Sequence, residues 1–267
     1  MFRPTARQAA SLLAILSLAT PSAFATEDET IATDRPDFVE SSNVVGFGRL
    51  QVETSVLIER DRTGGARSRV LSTPTLVRIG AGETFELRVE TDGRSVAHQR
   101  DAFGERSNGA AWNDAALGVK WHVADGTGGR PSVGVLVHAD LDSGSRRVRG
   151  QGVRPSLRVV GEWELADGYS LGVMPGVGIE RNDDGKRYRY GILGFVVGKE
   201  LTEDVRGFAE IAMPKIAGMR NGGTEASFDL GAAWLLTSKV QVDAMLARGL
   251  NRRTPDLAFT VGLSFKY

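Results

Sequence analysis

The sequence contains no cysteine, which excludes a disulfide framework, thiol catalysis and thiolate metal sites. Histidine is nearly as scarce, with 3 residues in 267, so imidazole chemistry is confined to His98, His122 and His138. Neither charge is in excess, since Lys and Arg total 33 and Asp and Glu also total 33. A field able to steer nucleic acid is therefore missing, and nucleic acid is not expected as a partner. Long apolar runs are missing too. The one candidate, Ala9 to Ala19, falls well short of the roughly 20 residues that a membrane-spanning helix needs.

That short run reads instead as the core of a secretory signal over residues 1–25. Arg3 and Arg7 precede it, and Ala23-Phe24-Ala25 follows as a small-x-small site with cleavage before Thr26. A membrane-anchoring helix is the alternative. Cleavage leaves 267 − 25 = 242 residues and 33 − 2 = 31 basic against 33 acidic side chains, a nearly neutral mature chain. Composition does not choose between one large domain and two small ones; the pattern along the chain does.

The last eleven residues alternate strictly. Leu257, Phe259, Val261, Leu263, Phe265 and Tyr267 share one side of a strand, and Ala258, Thr260, Gly262, Ser264 and Lys266 share the other. About 9 to 11 tilted residues cross a bilayer as a strand, so this segment has the length to close a transmembrane barrel. Eleven earlier segments repeat the theme between Leu50 and Leu246. In the first, Leu50, Val52, Val56 and Ile58 oppose Gln51, Glu53, Ser55 and Glu59. In the third, Phe85, Leu87 and Val89 oppose Glu86, Arg88, Glu90 and Asp92. A charge facing lipid near the midplane costs roughly 2 to 4 kcal/mol for Arg or Lys, so the charged parity is expected to line a lumen. A water-soluble sandwich or lipocalin-like barrel also alternates, but with charges outside and the apolar parity inside.

The expected fold is a single all-β, 12-stranded antiparallel outer-membrane barrel over residues 48–267, preceded by an amino-terminal segment over 26–47. Short periplasmic turns fall near Ala81-Gly82, Asp167-Gly168 and Thr237 to Lys239, and longer outer loops over Gly93 to Ala110, Asp142 to Gly152 and Lys215 to Gly223. Phe85, Trp121, Trp163, Tyr169, Trp234, Phe265 and Tyr267 then gather at the periplasmic interface as an aromatic girdle. The eighth segment, Tyr188 to Lys199, has two readings. Tyr188, Tyr190, Ile192 and Val196 face outward, or a bulge at Gly191 or Gly194 turns Leu193, Phe195 and Val197 outward.

The run Thr33-Asp34-Arg35-Pro36-Asp37-Phe38, with Gly48-Arg49-Leu50-Gln51-Val52-Glu53 after it and an aromatic-ended last strand, resembles the outer-membrane β-barrel family named for the MetA pathway of phenol degradation. That resemblance spans the mature chain and implies a transporter-like barrel in the outer membrane. Outer-membrane lipid, the barrel-assembly machinery and a small-molecule solute are its expected partners.

The lumen candidates are Glu53, Arg78, Glu86, Arg88, Glu90, Lys120, Arg154, Arg158, Glu162 and Glu164. Mixed signs either create a transverse field in a pore or pair across strands and brace the wall. Leu57, Leu76, Leu136, Val160, Met174, Phe208 and Met245 share this parity and suit a hydrophobic or aromatic solute. Asp34, Arg35, Pro36, Asp37 and Phe38 either fold into the periplasmic mouth as a partial plug or belong to a loose tail. No cofactor or metal is called for, and no enzyme is expected. The cluster His138, Asp140 and Asp142 is the one hint of a rim hydrolase. The runner-up to a small-molecule channel is a structural or surface-binding barrel acting through its outer loops.

Overall fold

A computed structural model describes residues 30–182 and 184–267; the expected signal peptide lies outside the described residues. Fifteen strand segments appear in chain order: β1 (Leu50–Thr63), β2 (Ala66–Ser72), β3 (Thr75–Gly80), β4 (Phe85–Thr91), β5 (Arg94–Arg100), β6 (Arg106–Trp112), β7 (Ala115–Ala124), β8 (Ser132–Asp140), β9 (Arg154–Glu164), β10 (Tyr169–Arg181), β11 (Arg187–Glu200), β12 (Val205–Ile216), β13 (Glu225–Thr237), β14 (Val240–Gly249) and β15 (Leu257–Lys266). All pairings between them are antiparallel, and the register Gln51↔Lys266 to Arg60↔Leu257 joins β15 to β1 and closes the barrel. Twelve staves surround the lumen, with β2 and β3 together forming the second.

Alternation sets which face is which. Gln51, Glu53 and Ser55 of β1 are buried while Val56 is 47% exposed, and on β15 Phe259, Val261 and Leu263 are exposed while Thr260 and Ser264 are buried. Apolar side chains thus point away from the lumen, the reverse of a soluble barrel. At the periplasmic end Phe85 stacks on Trp121 with ring centroids 5.8 Å apart, and Phe265 meets Tyr267 edge-on at 5.5 Å. Amphipathic rings at that level form the girdle that headgroups favour.

Two details differ from the sequence-based expectation or resolve it. Gly93 to Ala110 is not a loop. Three neighbouring staves break at one level, at Thr73-Pro74, Asp92-Gly93 and Asn113-Asp114, and then continue as β2, β5 and β6. With the end of β1 they make a four-stranded leaf above the barrel, registered by Ile58↔Leu71, Leu71↔Val96 and Val96↔Ala110. The leaf's tip is tight because the Asp101 carboxylate accepts the N–H groups of Phe103 and Glu105. The eighth segment, β11, keeps one parity throughout its pairing with β10, so Leu193, Phe195 and Val197 face outward and Ile192 and Val196 are buried. Its bulge, between Gly191 and Leu193, falls on the pairing with β12.

Val261 sits mid-strand on the outward face of β15. Val261→Arg should therefore lower unfolding free energy in lipid vesicles by about 2 to 4 kcal/mol, read from urea titration of the refolded barrel. A cost below about 0.5 kcal/mol, ordinary for a soluble surface, would contradict a lipid-facing wall.

Candidate functional site

Buried cations gather on one arc of the barrel wall and buried acids on the arc across from it. Arg78 on β3, Arg88 on β4, Lys120 on β7 and Arg158 on β9 point inward, interleaved with Glu53 and Glu86. In strand order β4 and β7 lie half a turn around the barrel from β12 and β13. There Glu210 (β12), Asp229 (β13) and Asp243 (β14) are buried. Removing these groups from water is costly unless each finds a partner. Some come from the wall, as Ser227 Oγ donates to Asp229 at 3.2 Å, and the rest come from residues 31–46.

This segment starts at the periplasmic end, where Ile31 N–H donates to Ser238 O at 2.8 Å in the turn between β13 and β14. It rises into the lumen and returns beside Gly80, so its path is a loop within the periplasmic half of the barrel. Asp34 is the point where most charges converge. Its carboxylate accepts from Arg88 Nη1 at 2.5 Å and from Lys120 Nζ at 2.7 Å, and lies 3.5 Å from Arg78 Nη1. Its own N–H donates to Glu53 Oε2 at 3.0 Å. Glu40 accepts from Arg88 Nη2 and from Arg158 Nη1, both at 2.7 Å. Asp34, Glu40, Glu53 and Glu86 thus balance Arg78, Arg88, Lys120 and Arg158.

Toward the negative arc the segment turns donor groups. Phe38 and Val39 donate both backbone N–H groups to Glu210 at 2.7 Å, and Arg35 Nη2 reaches Asp243 Oδ1 at 3.3 Å and Thr260 Oγ1 at 3.1 Å. Asp37 accepts from Arg206 Nη2 at 2.9 Å. The remaining backbone is satisfied by the wall: Ser42 N–H donates to Glu162, Val45 N–H to Glu86, and Ala32 O accepts from both Gln51 and Arg78.

Shape matches charge. Val39 packs with Leu136, Val160, Met174, Val196 and Phe208 in a buried apolar cluster edged by Phe38 and Met245. Room for it comes from two glycines: a Cβ at Gly172 would lie 3.0 Å from Val39 Cγ1, and one at Gly194 would lie 2.6 Å from Val39 Cγ2. Absence of a side chain at those positions is what lets the segment approach the wall.

The other anticipated residues are spread along the lumen. Glu90 and Arg154 line its upper part, with Arg154 Nη2 donating to Asp114 at 2.7 Å, and Glu164 is exposed at the periplasmic end of β9. Glu40, Arg206, Glu210, Asp229 and Asp243 were absent from the sequence-derived list, although the four on strands share the inward parity of their apolar neighbours. His138 is buried 3.6 Å from Glu90, Asp140 pairs in register with Arg154, and Asp142 lies past the end of β8. The three do not converge on one exposed rim site, and among the described residues no cluster suits a metal ion.

Burial alone would push the Asp34 carboxyl up, but Arg78, Lys120 and Arg88 outweigh it and hold it well below the usual carboxylate range. A depressed folded-state value stabilises above the unfolded value and fails only as pH falls through the folded one. Asp34→Asn should therefore loosen the segment by about 3 to 5 kcal/mol, because it strands buried cations. Amide exchange over residues 31–46 should accelerate by a similar factor at pH 5 and pH 8. Unchanged exchange would show that Asp34 does not hold the segment.

Comparison with known proteins agrees with this architecture. An outer membrane channel, COG4313, from Pseudomonas putida F1 superposes with a TM-score of 0.58 at 11% identity, covering 87% of this chain and 99% of that one. The translocator domain of autotransporter NalP from Neisseria meningitidis gives 0.50 at 14% identity, with 83% and 89% covered. The β domain of the Bordetella autotransporter BrkA gives 0.51 at 11%, with 81% and 98% covered. At such identities the likeness establishes the fold, an outer-membrane β-barrel. A search of curated proteins returns no significant match. The family model described as "Putative MetA-pathway of phenol degradation" matches residues 33–267, and the chain belongs to that family.

Proposed function

We propose that the chain is an outer-membrane channel for small hydrophobic or aromatic molecules whose periplasmic half is closed by residues 31–46 acting as a plug. The observation that carries this reading is the apolar cluster of Val39, Leu136, Val160, Met174, Val196 and Phe208, set within a charged lumen and completed by the plug itself. A lumen braced only by ion pairs has no need of a buried apolar surface contributed by a separate segment. Displacing Phe38 and Val39 would uncover that surface to a solute of matching chemistry. The family's description, which refers to phenol degradation, supports an aromatic cargo. Likeness to the COG4313 structure, an outer membrane channel, supports the transport role.

Mechanistically, the plug's bipolar charge makes closure the resting state and local release the permeation step. Asp34 and Glu40 hold one arc, while Arg35 and the amides of Phe38 and Val39 hold the other. Releasing the second set while keeping the first swings the apolar residues aside without exposing the most deeply buried ions.

Planar-bilayer recording of the mature chain beside a version lacking Thr26 to Ser41 tests the reading. The full chain should give rare or small openings and the truncated chain stable, larger ones, with phenol entering vesicles faster through the latter. Equal conductance in both would remove the plug. Silence in both, with the barrel folded, would remove the channel.

A further inference from the structure

Charge is distributed unequally between the two faces of the wall. Every Asp and Glu within a strand lies on the inward parity, from Glu53 to Asp243. Basic residues take both parities, and the outward ones other than Lys199 and Arg94 gather at the extracellular ends of the staves. The leaf built by β1, β2, β5 and β6 holds the densest group.

On its outer face the residues pair in rows. Above the pair Arg94↔Trp112 at the base, one row is apolar: Phe259 of β15 faces Ile58, which faces Leu71, Val96 and Ala110 in turn. One step higher, about 7 Å along the strands, stand Arg60, Arg69, His98 and Asn108. The next row is Arg62↔Arg67, Arg67↔Arg100 and Arg100↔Arg106, four arginines directly opposite one another across four strands. All four are exposed, and none of their guanidinium groups has a carboxylate partner among the described residues. Like charges directly opposite destabilise a sheet, so a row of four calls for an anionic counterpart from outside the chain. A second copy does not supply it, because its own outward strand faces carry no acid. The acids around the row are Asp256, whose carboxylate accepts the Arg62 backbone N–H at 2.9 Å, and Asp101 and Glu105 in the hairpin turn at the leaf's tip, where Asp101 is engaged with backbone N–H groups.

Position names the counterpart. Above the row of Ile58, Leu71, Val96 and Ala110 the outward face of the leaf is polar and mainly basic, at the extracellular side of an outer-membrane barrel, which is the level of the outer-leaflet headgroups. We propose that Arg62, Arg67, Arg100 and Arg106, with Arg60 and Arg69 beneath them, form a binding site for the phosphate groups of the anionic glycolipid in that leaflet. Guanidinium groups bind phosphate bidentately, and a planar row spaces them for more than one phosphate. This site is on the opposite face of the wall from the plug and does not depend on the channel reading.

The test reconstitutes the full mature chain in phosphatidylcholine vesicles containing either diphosphoryl lipid A or the same lipid stripped of phosphate. Lipid retained per protein is measured after detergent extraction. The chain should retain the diphosphoryl form selectively, and the combined Arg62→Gln, Arg67→Gln, Arg100→Gln, Arg106→Gln variant should lose retention on the order of tenfold. Heat-dependent gel migration reports whether the variant is folded. If it is not, the salt response of the unaltered chain decides: retention should fall steeply with sodium chloride. Equal retention of the two lipids, an unaffected folded variant or a flat salt response would overturn the proposal. Displacement of the lipid by inorganic phosphate at equal phosphate concentration would also overturn it, since the site would then read free phosphate.

Discussion

The structure depends on one constraint: a charge on a barrel strand must face inward or sit beyond the lipid, and a charge that faces inward must then be neutralised there. With residues 31–46 seated in the lumen, Arg78, Lys120, Glu53 and Glu86 are fully buried. Their desolvation has to be offset by direct pairing; the wall itself pairs Arg78 with Glu53 and Glu86 and Arg88 with Glu86, but among the described residues it gives Lys120 and Arg158 no direct carboxylate contact. Asp34 and Glu40 complete the balance. Without them Lys120 and Arg158 would lose their direct acidic partners, so the amino-terminal segment is electrostatically part of the barrel although it contributes no strand.

Ion pairs of this kind are weak evidence for net stability, since an apolar replacement of equal volume can be as stable. Their value here is specificity. Asp34 fits only where three cations converge, Glu210 accepts two adjacent amides, and Val39 enters a hole left by Gly172 and Gly194. The first lies on the arc of β3, β4 and β7, and the other two lie on neighbouring strands β10 to β12 and share Val39, so the segment is held from two sides of the lumen.

Much of the fold was legible in the sequence because lipid enforces alternation more strictly than water does. The twelve segments, the closing strand from Leu257 and the girdle around Trp121 follow from a two-residue period and the cost of lipid-facing charge. Where that period was carried by weak residues it misled. Gly93 to Ala110, rich in Arg, Ser, Ala and Gly, looked like a loop, yet pairing with β2 makes most of it strand. In the lumen, clustered charges such as Glu86, Arg88 and Glu90 stood out, whereas Glu210 and Asp243 were single acids in otherwise apolar segments. What paired with what was beyond the sequence, since Asp34 meets Lys120 across 86 positions and Arg35 meets Asp243 across 208.

The most direct test of this account exploits the absence of cysteine. A Cβ at Gly172 would stand 3.9 Å from Val39 Cβ, the separation a disulfide needs. The double variant Val39→Cys, Gly172→Cys should therefore oxidise to a single intramolecular bond in the folded, membrane-inserted barrel, and the bonded form should stay closed until reductant is added. Two thiols that both react freely with a water-soluble maleimide and form no bond, in a barrel shown to be folded, would contradict the seating of the amino-terminal segment in the lumen.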